Sequence, residues 1–185
     1  MYIRTFWEKR IRMGKIRFRR HNQKGVSNMN KISSFTIDHT KLQPGIYISR
    51  KDTFDNLTLT TVDIRMKTPN KEPVINNAEI HTIEHIGATL LRNNKVWGDK
   101  IIYFGPMGCR TGFYLILFGN YESKDLIDLI SWLFNEITNF QGNVIGATEK
   151  ECGNYQDHNL NMAKYESSKY LETLENIKKE NLIYP

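Results

Sequence analysis

Asn77-Ala-Glu-Ile-His81-Thr-Ile-Glu84-His85-Ile-Gly-Ala-Thr-Leu-Leu-Arg-Asn-Asn94 is the stretch on which the fold turns. Ile80, Ile83, Leu90 and Leu91 recur at helical spacing, so the segment reads as an amphipathic helix running to Asn93 or Asn94. On such a helix His81 and His85 stand one turn apart on one face, roughly 5–6 Å between Cβ atoms. That spacing chelates a metal ion. Glu84 lies beside them, close enough to act as a base and badly placed to be a third equal ligand. In an H-x-x-E-H string two neutral imidazoles hold a divalent ion while the carboxylate moves protons.

Upstream of this helix, the chain from Ser34 to Arg65 reads as strands. Phe35 and Ile37 alternate with polar neighbours, Gly45-Ile-Tyr-Ile-Ser49 follows a Pro-Gly turn, and Leu57 to Arg65 has the β-branched richness of a strand. Pro69, Asn70 and Pro73 break it, and a loop leads to Asn77. Downstream, Lys100 to Phe104 is a short apolar strand. It runs into Gly105-Pro-Met-Gly-Cys109-Arg-Thr-Gly112, whose three glycines and one proline are incompatible with regular structure. Phe113 to Phe118 is apolar on both faces, as a strand buried under helices should be. Ser123 is placed to cap a helix with Asp125 in its first turn, on which Leu126, Ile127, Ile130, Leu133, Phe134 and Ile137 form the core face. A linker at 142–148 and Glu149 to His158 precede a last helix, about Asn159 to Lys179.

The whole-chain charge of +6 resembles a nucleic-acid signature until it is located. Residues 1–28 carry nine Lys/Arg against Glu8 alone, which leaves the remaining chain at −2. A mildly acidic body argues against a phosphate-binding surface on the folded domain. The 39% hydrophobic and 25% charged residues fit an ordinary globular domain, and no apolar run reaches the roughly 18 residues that a membrane span requires. The domain is expected at 29–185, opening near Met29, with 1–28 as a basic extension that is disordered or not native. Neither the extension nor the rest of the chain has a secretory apolar block, so a cytoplasmic protein is expected.

Two histidines make an incomplete catalytic site, because such centres usually have three protein ligands and one open position. Cys152, His158, Glu149 and Glu151 are the candidates for the third. Cys152 is favoured, since a thiolate beside Gly153 can approach a metal closely and binds Zn²⁺ or Fe²⁺ strongly. Cys109 is a separate matter. In a glycine-rich turn beside Arg110 it has a fixed positive charge and open backbone amides nearby, conditions that lower a thiol pKa and suit a base or nucleophile. A disulfide between Cys109 and Cys152 is the bland reading, but two cysteines in a chain with no secretory signal read better as reduced, functional thiols. Two rival functions remain: an H-x-x-E-H metallopeptidase with Glu149 or Glu151 as third ligand, and a nucleic-acid-binding protein that uses the basic arm.

From about Ile32 to Leu174 the chain resembles the S-ribosylhomocysteine lyases, the LuxS family. The likeness rests on Ser34-Phe-Thr-Ile-Asp-His39, Asp63-Ile-Arg65 with Pro69-Asn70, His81 to His85, Gly105 to Gly112, and Glu151-Cys-Gly-Asn-Tyr-Gln-Asp-His158. The resemblance implies that His81, His85 and Cys152 hold the metal with a water in fourth place. It also implies that Cys109 and Glu84 are the acid/base groups and that Ser34, His39 and Arg65 line the substrate pocket. It implies one divalent ion per subunit, Fe(II) natively with Zn or Co as substitutes, no organic cofactor, and a homodimer with its active sites at the interface. The reaction implied is cleavage of S-ribosylhomocysteine to homocysteine and 4,5-dihydroxy-2,3-pentanedione, the autoinducer-2 precursor. The expected fold is α+β: an antiparallel sheet packed against helices in a two-layer α/β sandwich, with the metal site on a helix. Two departures stand out. Tyr103-Phe104-Gly105 replaces an Asp-x-Ser found in many members, and residues 1–28 have no counterpart.

Overall fold

The computed structural model describes residues 30–185, and the folded unit is Ile32–Pro185. The expectations for the basic segment 1–28 and for Met29 lie outside the described residues. Four strands, β1 (Gly45–Phe54), β2 (Leu57–Arg65), β3 (Ile101–Pro106) and β4 (Gly112–Phe118), form one antiparallel sheet in the order β1-β2-β4-β3. Three helices, α1 (Asn77–Asn93), α2 (Ile127–Thr138) and α3 (Leu160–Glu175), form the second layer. The fold is α+β, as expected.

Strand alternation explains why the helices sit on one side only. The inner face carries Ile46, Val62, Ile64, Phe113, Leu115, Leu117 and Phe104, all buried against Ile83 and Ile86 of α1, Ile130, Leu133 and Phe134 of α2, and Tyr170 and Leu174 of α3. Each such side chain contributes on the order of 1.5–3 kcal/mol by leaving water. The register Asp63↔Tyr114, Thr61↔Ile116 and Leu59↔Phe118 places the other residues of β2 and β4 on the outer face. There Phe118 and Tyr103 are 44% and 47% exposed, so β4 is covered on one side rather than two. Its apolar run misled because an antiparallel sheet needs a helical layer on only one face.

Other boundaries also moved. Ser33–Phe35 is a 3₁₀ turn closed by Phe35 N–H to the Ile32 carbonyl at 2.9 Å, not the start of a strand. Asp38 holds the next turn by accepting from the Thr40 amide at 3.0 Å. Gly105 and Pro106 extend β3 and Gly112 begins β4, so the irregular turn is only 107–111. Gly112 is required because a Cβ there would collide with the Ile64 carbonyl oxygen across the ladder. Ser123 is the first residue of a 3₁₀ turn leading to α2; Glu122 precedes it as cap, its amide donating to Asp125 Oδ2 at 2.9 Å. The last helix stops at Glu175 rather than near Lys179, with Asn159 as its N-cap accepting from the Met162 amide at 3.1 Å.

Candidate metal centre and thiol pocket

The helix α1 forms after the Pro73 break, from an extended Asn76, with Glu79 in its first turn where the helix dipole favours an acid. It thereby carries His81 and His85 one turn apart, their rings 4.6 Å between centroids. The α3 cap is pinned to the same helix: the Asn159 amide donates to Thr82 Oγ1 at 3.0 Å. This lays the segment from Cys152 to His158 across α1, and Cys152 Sγ reaches 3.4 Å from His81 Nε2. Two such ligands at tetrahedral angles around one zinc ion would stand about 3.6 Å apart.

The hydrogen-bond partners fix the tautomers. His81 Nδ1 faces the Asp157 carbonyl at 2.9 Å and His85 Nδ1 the Ile145 carbonyl at 2.8 Å. A carbonyl only accepts, so both Nδ1 atoms carry the proton and both Nε2 atoms present lone pairs. Gly146 follows Ile145 at φ +73°, a left-handed conformation that glycine adopts without strain. His158 joins the group. Thr82 Oγ1 donates to the Ala78 carbonyl at 2.7 Å and stands 3.2 Å from His158 Nδ1, which must therefore be the donor. His158 Nε2 is buried with no partner, and its ring stacks on His81 at 4.1 Å. Burial, and then the His81 and His85 rings, hold His158 below the usual histidine range.

Donor atoms of His81, His85, Cys152 and His158 lie within 4.8 Å of one another. Three free imidazole nitrogens and a thiol, one nitrogen orphaned by burial, fit a soft divalent ion such as Zn²⁺ or Fe²⁺. Of the four candidates for third ligand, the structure brings in Cys152 and His158. Glu149 and Glu151 are exposed and outside the group; Glu151 instead accepts from Thr148 Oγ1 at 2.6 Å. Glu84 is half-buried on α1 beside the group, and its side chain forms no ion pair or hydrogen bond with a described residue.

Ser34, His39, Arg65 and Cys109 meet elsewhere, around a cavity of about 250 Å³ also lined by Asp63 and Tyr114. The cavity lies over the outer sheet face, and none of the four metal-donor residues lines it. Cys109 is exposed and Cys152 half-buried, and both are free thiols, so no disulfide joins them. Burial raises the Cys109 thiol, but hydrogen bonds from the Thr111 hydroxyl at 3.1 Å and the Thr111 amide, with the Arg65 guanidinium 3.9 Å away, carry it below the ordinary thiol value. The positive charge beside the thiol is thus Arg65, not its sequence neighbour Arg110, which turns away at φ +57° and donates to Asn77 Oδ1 at 3.2 Å.

Asp63 and Thr111 were missed as functional residues. Asp63 is 1% exposed and paired with Arg65 two residues on, both on the outer face of β2. An acid and a base at i and i+2 in an apolar strand was the available signal. Tyr103, at the departure from Asp-x-Ser, is exposed on the outer face with its hydroxyl over Gly105.

The family model described as S-Ribosylhomocysteinase (LuxS) matches residues 32–181. The chain is 77% identical over 157 residues to the S-ribosylhomocysteine lyase of Borrelia garinii subsp. bavariensis, covering 85% of this chain and all of the relative. It is 60% identical to that of Finegoldia magna and 55% to that of Clostridium acetobutylicum, in each case over 85% of this chain and 99% of the relative.

Proposed function

The chain belongs to the S-ribosylhomocysteinase (LuxS) family, and on that premise we propose that it is a metal-dependent carbon–sulfur lyase. It cleaves S-ribosylhomocysteine to homocysteine and 4,5-dihydroxy-2,3-pentanedione. The observation that carries this reading is the approach of Cys152 to His81 Nε2, 3.4 Å across the α1 surface. It adds a thiol to the imidazole donors of the group, where an H-x-x-E-H peptidase would need a third ligand such as Glu149 or Glu151.

His81, His85 and Cys152 are the proposed ligands, one ion per subunit, Fe(II) natively with Zn or Co as substitutes. When bound, the ion supplies Lewis acidity toward the sugar's carbonyl and hydroxyl oxygens, which acidifies the neighbouring C–H bonds. Cys109, as the thiolate that Thr111 and Arg65 favour, removes a proton beside the carbonyl and returns it one carbon along, so the carbonyl moves from C1 to C2 and on to C3. Glu84 serves the later transfers. With the ketone at C3, removal of the C4 proton drives its electron pair into the C4–C5 bond as the C5–S bond breaks, releasing homocysteine thiolate by β-elimination. The oxidation level is only relocated within the sugar, so the chemistry calls for no organic redox cofactor. Ser34, His39 and Arg65 hold the substrate in the cavity.

The active site is proposed to form between two copies of the chain. The thiol pocket opens on the outer sheet face and the donors lie in the helical layer, an arrangement that one copy's metal ligands and the other copy's pocket would complete. The exposed Tyr103 and Phe118 mark the outer face as the place for contact. Residues 29–185 are taken as the catalytic unit and 1–28 as an extension, in a cytoplasmic enzyme of the methyl cycle and of quorum-sensing signal synthesis. No helix of the described residues is long and apolar enough to cross a membrane. Incubation of anaerobic, iron-loaded protein with S-ribosylhomocysteine, followed by assay of free homocysteine thiol, tests the reading.

A further inference from the structure

We propose that Tyr184, the penultimate residue, is a positioning residue for Cys109, acting through Asp63 and Arg65. The proposal rests on the reading of Cys109 as the proton-transfer group. Tyr184 lies beyond residues 32–181 that the family model matches.

The hydrogen bonds form one continuous chain. Tyr184 Oη donates to Asp63 Oδ2 at 2.9 Å, and the same oxygen pairs with Arg65. Through its other terminal nitrogen Arg65 donates to Thr111 Oγ1 and approaches Cys109 Sγ at 3.9 Å, while Thr111 Oγ1 lies 3.1 Å from that sulfur. The tail that delivers Tyr184 is itself anchored. Its ring stacks on Tyr47 at 4.7 Å and 8°, and Asn181 Nδ2 donates to the Pro44 carbonyl at 2.9 Å. Gly45 is required there because a Cβ would collide with the Asn181 carbonyl oxygen.

The consequence for the thiol follows from competition for one guanidinium. Asp63 is 1% exposed and its Oδ1 has no partner, so its carboxylate depends on the two donors at Oδ2. Burial pushes the Tyr184 phenol well up, which keeps it a donor at every pH the enzyme meets. Without that hydroxyl the buried carboxylate rests on Arg65 alone and draws the guanidinium away from Thr111 and Cys109. The thiolate then loses stabilisation. The charged and titratable groups around the thiol are Arg65 and Asp63 from β2, Tyr114 from β4 and His39 from the segment before β1; Arg110 is occupied by Asn77.

Tyr184→Phe in the metal-loaded full chain keeps the ring on Tyr47 and deletes the hydroxyl, which also bonds the Ser49 side chain. The pH dependence of iodoacetamide alkylation at Cys109, resolved from Cys152 by peptide mass spectrometry, is the primary readout. Its midpoint should rise by about half to one unit, making alkylation at a pH below the unsubstituted protein's midpoint about three- to tenfold slower. Turnover should fall by a similar factor with KM within about twofold, and Cys152 alkylation should not change. An unshifted Cys109 midpoint would overturn the proposal. So would additivity of Tyr184→Phe with Asp63→Asn, since a relay through Asp63 requires the second change to add nothing. Alkylation needs no substrate, so it decides the relay even for a preparation that releases no homocysteine, an outcome that would overturn the assigned reaction instead.

Discussion

Cys152 Sγ stands 3.4 Å from His81 Nε2 across 71 residues of sequence. The contact exists because Thr82, one residue beyond His81, accepts from the Asn159 amide and fixes where the segment before α3 crosses α1. The candidate donor group therefore belongs to the packing of α1 against the start of α3 as much as to the H-x-x-E-H string.

Replacing Cys152 with Ala should lower metal affinity about a hundredfold or more, as should His81→Ala or His85→Ala. Dialysis against a chelator followed by elemental analysis measures it. A Cys152→Ala protein that keeps stoichiometric metal would remove cysteine from the ligand set.

Cys109→Ala should keep the metal and lose turnover by about 10²–10⁴-fold, the usual worth of a general acid or base. Metal content and homocysteine release are read on the same sample. Full activity in this variant would end the role given to the thiol.

The depressed Cys109 titration sets the sign of the pH dependence. Thiolate is the proton acceptor, so the rate should rise with pH through a midpoint below the ordinary thiol range. Thr111→Val, which removes the hydroxyl at 3.1 Å, should move that midpoint up. The same shift favours the folded state as pH rises from the folded thiol's midpoint toward its unfolded value, and this increment is lost as pH falls through the folded midpoint. A Thr111→Val rate profile with an unmoved acid limb would contradict the assignment.

Mixing inactive Cys109→Ala and His85→Ala subunits should restore activity if each site draws its ligands and its thiol from different copies. Statistical exchange gives half the dimers as heterodimers, each with one intact site, so about a quarter of wild-type activity is expected. Activity no greater than the sum of the parents after verified subunit exchange would place both halves of a site in one copy.

Local signals carried much of this account. The bounds of β2 and α1 were readable because Leu57 to Arg65 is β-branched and Pro73 isolates a periodic apolar segment. Helical spacing paired His81 and His85 as candidate donors, while Cys152 was favoured among four candidates for a third and implied by the resemblance. What failed was decided by long-range contact. Phe35 and Ile37 alternate over too few residues to separate a strand from the 3₁₀ turn that ends at Phe35. Arg110 adjoins Cys109 in sequence, yet a left-handed backbone turns it toward Asn77 and the strand register supplies Arg65 instead. The contacts of Thr111 with Arg65 and of Tyr184 with Asp63 span 46 and 121 residues, which no sequence window contains.

Anaerobic protein reconstituted with Fe(II) should release one homocysteine thiol for each S-ribosylhomocysteine consumed, detected with a thiol reagent, and the Cys109→Ala protein carrying the same metal should release none above background. Metal-loaded, folded wild-type protein that leaves the substrate intact would contradict the account.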